Sequence, residues 1–445
     1  MNNSDIPVNN FHRVLRNEPE GFFTQLLPTR TQLDTFKECK DLIQEALEVI
    51  LKEVYDVKPK FRLQGSWAYG TCNVPNRIGQ EMDFDYGCYL PERCFPDEQK
   101  NEAEKLINHV KQCLSQLCFD QNWELDDKNP SCLRIRGFMV DAHFDIPLYA
   151  VPNDMFNDLK DVPISSRKNS DVVEANESYD DLSSRNYRNA LNFSEDTQPQ
   201  ALSEFFGESS FNRSSGITTF GESVESRQFD GVQKNESAQP PIKDISLIRN
   251  DGEWKQSNCE RVREWFLGVC KGQAGEGQQL RSIIRYIKAW RDYNFDPNER
   301  KQPISLALMI LTVDSYEHCQ QRDDKALAKV VSELPNRFLK DITCPNIKDH
   351  EEEVFNDYNG DKNKYRRQDS ELAQEFSDTL NYCLTEATEA RKCLYALKVC
   401  LGDKIPSNED LVSIHNEISQ GAINTKNKPV QVATAPAIIP SQTGG

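Results

Sequence analysis

Between Thr31 and Tyr55 apolar residues recur at Leu33, Phe36, Leu42, Ile43, Ala46, Leu47, Ile50 and Val54. That three-to-four spacing turns one side of a helix toward a core, and it predicts a long scaffold helix over 31–55. Farther along the period changes to two. In Met82-Asp83-Phe84-Asp85-Tyr86 the apolar residues alternate with carboxylates. An extended strand there aims Met82, Phe84 and Tyr86 at one face and both acids at the other. The alternation returns over Phe138–Tyr149, predicting Val140, Ala142, Phe144 and Ile146 inward and Asp141, His143 and Asp145 on the opposite face. A helix over 97–117 separates the two, followed by more strand from Phe119 to Arg136, where Arg134 and Arg136 share a face.

From about 158 to 241 the composition shifts to Ser, Asn, Asp and Glu with few clustered apolar residues, too long for a tight loop and read as an insertion or lid. Helical spacing resumes over 260–270, with Ser257 and Glu260 placed to form a capping box and Val262, Trp265, Phe266 and Val269 to be buried. The next helix, over 280–291, buries Leu280, Ile283, Ile284 and Ile287. Lys288 lies about 80° from Leu280 on the helical wheel, at the edge of that stripe, where it can reach solvent or point into a cleft. Ser305 stands where another helix opens, able to cap it or to touch phosphate, and further helices are expected over 370–383 and 386–401. The end of the chain, from Ala422 through Pro436 and Pro440 to Gly444-Gly445, has linker composition.

A chain of 445 residues has material for two lobes. Its 53 basic and 71 acidic residues leave a net charge of −18, which argues against tracking a long nucleic-acid backbone but leaves room for a local basic pocket. The 14 cysteines include no Cys-x-x-Cys, and no signal peptide or long apolar run stands out. This predicts reduced thiols in the cytoplasm and no membrane segment. Six histidines form no zinc-like cluster with the cysteines.

The candidate chemistry lies in the order of three short motifs. Gln64-Gly65-Ser66-Trp67-Ala68-Tyr69 offers a glycine that lets backbone approach a phosphate and a hydroxyl where a helix can begin. Asp83-x-Asp85 follows at short spacing, placing two hard oxygen ligands, the kind Mg2+ prefers, on one strand face. A two-metal site wants a third carboxylate. Asp145, just before the strand-ending Pro147, is preferred over Asp141. His143 reads as a strand-face histidine rather than a ligand.

Taken together, Gln64-Gly65-Ser66, Tyr69, Thr71, Asn73 and Pro75, then Gly79-Gln80-Glu81-Met82-Asp83-x-Asp85 and Tyr89-x-Pro91, then His143-x-Asp145-x-Pro147-x-Tyr149-Ala150-x-Pro152, resemble the bacterial cGAS/DncV-like nucleotidyltransferases, in particular the DncV-like branch. Lys288-Ala289-Trp290-Arg291-Asp292 and Ile304-Ser305-Leu306 are similar to second-lobe elements that carry a triphosphate-binding lysine and serine. Arg134 matches a nucleotide-contacting arginine upstream of the third acid. The acid that such relatives use for the second nucleotide would fall near Pro345-Asn346, where an asparagine stands.

The resemblance implies an α+β fold: a Polβ-like nucleotidyltransferase lobe over 1–157, the insertion over 158–241, a helical second lobe over 242–420 and a tail over 421–445. It implies a cyclic dinucleotide synthase of anti-phage (CBASS) signalling that uses ATP and GTP, makes 3′,3′-cyclic GMP-AMP for a downstream effector, and requires two Mg2+ ions for which Mn2+ can substitute. Asp83, Asp85 and Asp145 would be catalytic and metal-binding, with Gln64, Gly65, Ser66, Tyr69, Arg134, Lys288 and Ser305 holding nucleotide. Relatives encoded with E1/E2-like conjugation enzymes have their C-terminus ligated to targets, a role that would fall here on Gly445. Two other readings share parts of this pattern: a template-independent RNA-tailing enzyme, and a non-catalytic scaffold acting through its tail.

Overall fold

A computed structural model of the chain describes residues 8–96, 99–159, 244–257, 259–296, 299–344, 354–358 and 360–415. Nearly all of the expected insertion, the region of Asn346, and the tail with Gly445 lie outside the described residues. Two short helices open the fold, α1 (His12–Arg16) and α2 (Phe22–Gln25). Thr29 then starts α3 (Arg30–Tyr55) through a reciprocal capping box: its hydroxyl accepts from Gln32 N and its own N–H donates to Gln32 Oε1, satisfying two otherwise unpaired donors. Leu33, Phe36, Ile43 and Leu47 of the predicted stripe are buried, joined by Leu51, whereas Leu42, Ala46 and Ile50 are half-buried and Val54 at the last turn is exposed.

Behind α3 stand β1 (Lys60–Leu63), α4 (Gly65–Tyr69), β2 (Met82–Pro91), α5 (Gln99–Gln121), β3 (Glu124–Asp126), β4 (Leu133–Arg136), β5 (Ala142–Ile146), β6 (Leu148–Val151) and α6 (Asn153–Asp158). After the undescribed stretch come β7 (Ser246–Ile248) and β8 (Trp254–Gln256). The eight strands form one mixed sheet in the order β3-β4-β5-β2-β6-β7-β8, with β1 paired to β2. β2 runs parallel to β5 and β6, in a register that sets Asp83 beside His143 and Asp85 beside Asp145. Antiparallel β4 sets Arg134 beside Asp145. The opposite side chains of β2 and β5 close the core: Phe36 of α3 stacks on Phe84 at 3.9 Å, and on Phe144 at 4.8 Å and Trp67 at 4.9 Å, the last two within the range where aromatic pairs add to simple burial.

Two expectations shift. Phe119 belongs to α5 and is exposed, so the following strand starts only at Glu124. Val140 is 81% exposed rather than inward, because Gly137 (φ 87°) and Asp141 (φ 55°) turn the chain before β5 begins. Asp141 thereby leaves the strand face, and Asp145 remains as the acid beside Asp85.

The second lobe comprises α7 (Cys259–Lys271), α8 (Gln278–Asn294), α9 (Ser305–Ser315), α10 (Asp323–Phe338), α11 (Lys362–Asn381) and α12 (Ala390–Leu401). Its core joins Ile283, Ile284, Ile287 and Trp290 of α8 to α9, α10, α11 and α12. Phe11, Val14, Leu15, Phe22, Phe23 and Leu26, placed by the sequence reading in the 1–157 lobe, pack into this second core instead. Among the described residues no helix is long and apolar enough to cross a membrane.

Candidate active site

Gly65 begins the site. It adopts φ +56°, and a Cβ there would lie 2.0 Å from Asp85 Oδ2, so the left-handed backbone and the carboxylate beneath it both require glycine. The turn is fastened to β2 from two sides: Gln64 N donates to Asp85 O at 2.9 Å, and Trp67 Nε1 donates to Asp83 O at 3.0 Å. The Gly-Ser turn thus sits directly over the Asp-x-Asp strand, and both face a cleft of about 690 Å3, a usual size for a small-molecule site.

The charges on the sheet face are arranged in rows. Arg134 grips Asp145 with two hydrogen bonds, Nε to Oδ1 and Nη2 to Oδ2, each 2.6 Å, a bidentate fork that fixes the carboxylate plane. Arg136 donates to Glu81 at 3.0 Å and to Asp126 at 2.8 Å. Glu81 in turn meets His143 Nδ1 at 2.7 Å. The other ring nitrogen lies 3.0 Å from Asp83 Oδ1 and 3.9 Å from Asp145 Oδ1, close enough for attraction, yet it is buried without a well-aligned hydrogen-bond partner. Asp83, His143 and Asp145 each offer a ligand atom within 4.8 Å of the others.

Asp85 is raised well above the usual carboxyl range, first by burial and then by the charges of Asp83 and Asp145, with Arg134 and Lys288 opposing. A cation beside it would restore its charged form. Burial lowers His143, but the contact and charge of Asp83 outweigh it and leave the imidazole raised. Burial would likewise raise Glu81, whereas its hydrogen bonds from Arg136 and His143 hold it below the ordinary value. The donor set, hard oxygens plus one orphaned imidazole nitrogen, fits a divalent cation.

The far wall comes from the second lobe. The cationic face of α8 grips the loop after α4: Arg281 Nε donates to Tyr69 O at 2.9 Å, Arg285 Nη2 to Gly70 O at 2.9 Å, and Lys288 Nζ to Thr71 O at 2.8 Å. Lys288 therefore takes the cleft side of its two sequence alternatives, buried at 6% exposure and lowered to about 8, chiefly by burial. Arg285 is lowered to about 10, again first by burial. Ser305 lines the cleft at the start of α9 without capping it; Arg291 Nη1 donates to its hydroxyl at 3.3 Å and to Pro303 O at 2.9 Å.

Gly65, Ser66, Tyr69, Asp83, Asp85, Arg134, Lys288 and Ser305 line one cleft. Asp145 adjoins it through Arg134. Gln64 does not line it: its amide is held by Tyr89 and by Tyr149, the latter at 3.0 Å. The Ser257–Glu260 capping box is absent too. Ser257 accepts from Cys259 N, whereas Glu260 is drawn 3.0 Å from both Arg62 and Tyr89. Glu81 stands inside the motif that carries Asp83-x-Asp85 without a role of its own there, and the sequence reading did not single out Arg281 or Arg285. The last two, with Lys288, stand at i, i+4 and i+7 of one helix, a periodicity visible in the sequence once cations are counted as a stripe.

Two family profiles match the chain: "Cyclic GMP-AMP synthase DncV-like, nucleotidyltransferase domain" over residues 59–149 and "Cyclic GMP-AMP synthase, C-terminal domain" over 277–415. A cyclic GMP-AMP synthase of Vibrio cholerae is 28% identical over 317 residues, covering 70% of this chain and 61% of the relative. One of Escherichia coli is 26% identical, covering 70% and 60%. The chain thus spans about three fifths of the length of these relatives. The crystal structure of Vibrio cholerae DncV, a cyclic AMP-GMP synthase, superposes with a TM-score of 0.62 at 19% identity, over 92% of this chain and 100% of that one. The same enzyme in complex with a linear dinucleotide intermediate gives 0.61 at 18% identity over the same shares. At that identity the likeness concerns the fold.

Proposed function

The chain belongs to the cGAS/DncV-like nucleotidyltransferases, and on that premise we propose that it is a cyclic dinucleotide synthase acting on two ribonucleoside triphosphates. The observation that carries this reading is the register of β2 against β5, which sets Asp83 and Asp85 beside His143 and Asp145 beneath the Gly65-Ser66 turn and opposite Lys288.

Each step forms a bond from a 3′-oxygen to the α-phosphorus of a triphosphate and breaks the bond to pyrophosphate, which leaves. The first transfer gives a linear dinucleotide, and the second closes the ring. In such chemistry positioning and charge neutralisation supply most of the acceleration. Asp83, Asp85 and Asp145 would hold divalent cations, Mg2+ in this reading, which when bound polarise the phosphate and acidify the attacking hydroxyl. Asp145, locked in one plane by Arg134, orients that hydroxyl. The bare backbone at Gly65 admits a phosphate close to Asp85, and Ser66 offers a hydroxyl there. Lys288 and Ser305 neutralise and orient the leaving pyrophosphate from the second lobe, and Tyr69 gives a nucleobase an aromatic face.

The product we assign is 3′,3′-cyclic GMP-AMP, a second messenger of anti-phage defence read by a downstream effector. The names of the sequence relatives support the product, and the family resemblance supports the role. A net charge of −18 weighs against the RNA-tailing reading. The test is incubation with Mg2+ and each ribonucleoside triphosphate, singly and in pairs, followed by phosphatase and mass analysis. A phosphatase-resistant species that requires ATP plus GTP is expected, lost in the Asp83→Ala, Asp85→Ala variant. A ladder of linear products would support tailing, and no product under any pairing would support a scaffold.

A further inference from the structure

His143 is held as metal-ligating histidines are held. In such sites the ring nitrogen away from the ion donates to a carboxylate, which fixes the tautomer and the ring plane. Here Glu81 sits 2.7 Å from Nδ1, and Glu81 is itself fixed by Arg136, which Asp126 holds from the other side. With Nδ1 held by Glu81, Nε2 faces Asp83 and Asp145, so that a cation taking the place of its proton would meet a nitrogen already aimed between the two acids. The ring is 8% exposed, and Nε2 has no aligned hydrogen-bond partner, a state that costs free energy unless something else engages that nitrogen. Its separations from the two acids, 3.0 and 3.9 Å, match the roughly 3–4 Å between neighbouring ligand atoms that each stand about 2.1 Å from a shared ion.

We infer that His143 is a metal ligand, completing with Asp83 and Asp145 a mixed nitrogen–oxygen site, and that Glu81 is its positioning residue. The inference deepens the nucleotidyltransferase reading of the same cleft and rests on it. It adds a distinct chemical preference: Mg2+ favours oxygen donors, whereas an imidazole ligand shifts selectivity toward transition metals. A histidine with only a structural part in the sheet needs neither the relay behind Nδ1 nor the orphaned Nε2.

The experiment loads the full chain with Mn2+ and inorganic triphosphate, a combination that introduces no nitrogen from a nucleobase. Affinity is read by electron paramagnetic resonance and directly bonded 14N by spin-echo envelope modulation. Bound Mn2+ in the wild type is expected to carry the 14N signature. His143→Leu should abolish it while the carboxylates still retain Mn2+ more weakly. Glu81→Gln should keep the signature and weaken binding by roughly 10–100-fold, the usual effect of removing a ligand's supporting carboxylate. Wild-type Mn2+ bound without 14N coupling, or with coupling that survives His143→Leu, overturns the assignment and leaves the nucleotidyltransferase reading intact. Wild-type protein that binds no Mn2+ in the presence of triphosphate overturns both.

Discussion

Lys288→Met is expected to stabilise the empty protein while removing the contact with triphosphate proposed for this residue. The lysine is 6% exposed, and its described hydrogen bond goes to the neutral carbonyl of Thr71. Its pKa falls from 10.5 to about 8, mainly through burial, with Arg291 and Arg285 adding to the fall and Cys72 and Asp292 opposing it. A difference of that size corresponds to about 3 kcal/mol held against the charged form below pH 8. Methionine fills a similar volume without charge and forfeits one hydrogen bond worth about 1 kcal/mol, leaving a net gain of about 2 kcal/mol at pH 7. The sign follows from proton counting. Between pH 8 and 10.5 the unfolded chain binds more protons at this lysine than the folded one, so wild-type stability from this group rises with pH. The gap between variant and wild type should therefore be full below pH 8 and close toward pH 10.5. Guanidinium denaturation at several pH values, followed by tryptophan fluorescence, measures it; binding of a non-hydrolysable ATP analogue reads the functional cost. A variant less stable than wild type at pH 7, or a gap that does not narrow above pH 8, would refute the reasoning.

Gly65→Ala combines a φ of +56° with a Cβ 2.0 Å from Asp85 Oδ2; it should cost about 1–3 kcal/mol and displace that carboxylate, seen as lost dinucleotide formation in a protein that still unfolds cooperatively. Arg134→Lys keeps the charge but not the fork on Asp145, so kcat should fall with little change in KM, since Lys cannot reproduce bidentate geometry; an unchanged kcat would show that Asp145 needs no such clamp. Phe36→Ala removes the ring shared by Phe84, Phe144 and Trp67 and should cost about 3–5 kcal/mol in denaturant titrations.

Much of the first lobe follows from local pattern. Alternation in Met82–Tyr86 separates carboxylates from core without reference to the rest of the chain, because successive side chains of a strand must oppose each other. The stripe of α3 and the position of Gly65 are local in the same sense. Local pattern failed where the partner is distant. Val140 continued an alternation that two left-handed residues, Gly137 and Asp141, interrupt. Gln64 bore a phosphate-loop position, yet two tyrosines from β2 and β6 claim its amide. Glu260 fitted a capping box until Arg62, almost two hundred residues earlier, drew it away.

The sequence by itself determined which residues can share a face, and hence that Asp83 and Asp85 lie on the same side of one strand and that Lys288 stands at the edge of a buried stripe. Only the tertiary structure decided which faces meet. The parallel register of β2 and β5 brings His143 beside Asp83, the antiparallel register of β4 gives Asp145 its arginine, and the packing of α8 against the loop after α4 directs Lys288 inward. Periodicity of 2.0 or 3.6 is a property of the backbone and is carried by neighbours in sequence. Register and lobe contact are set by burial and by paired charges summed over the whole molecule, between residues that no short stretch of sequence contains together.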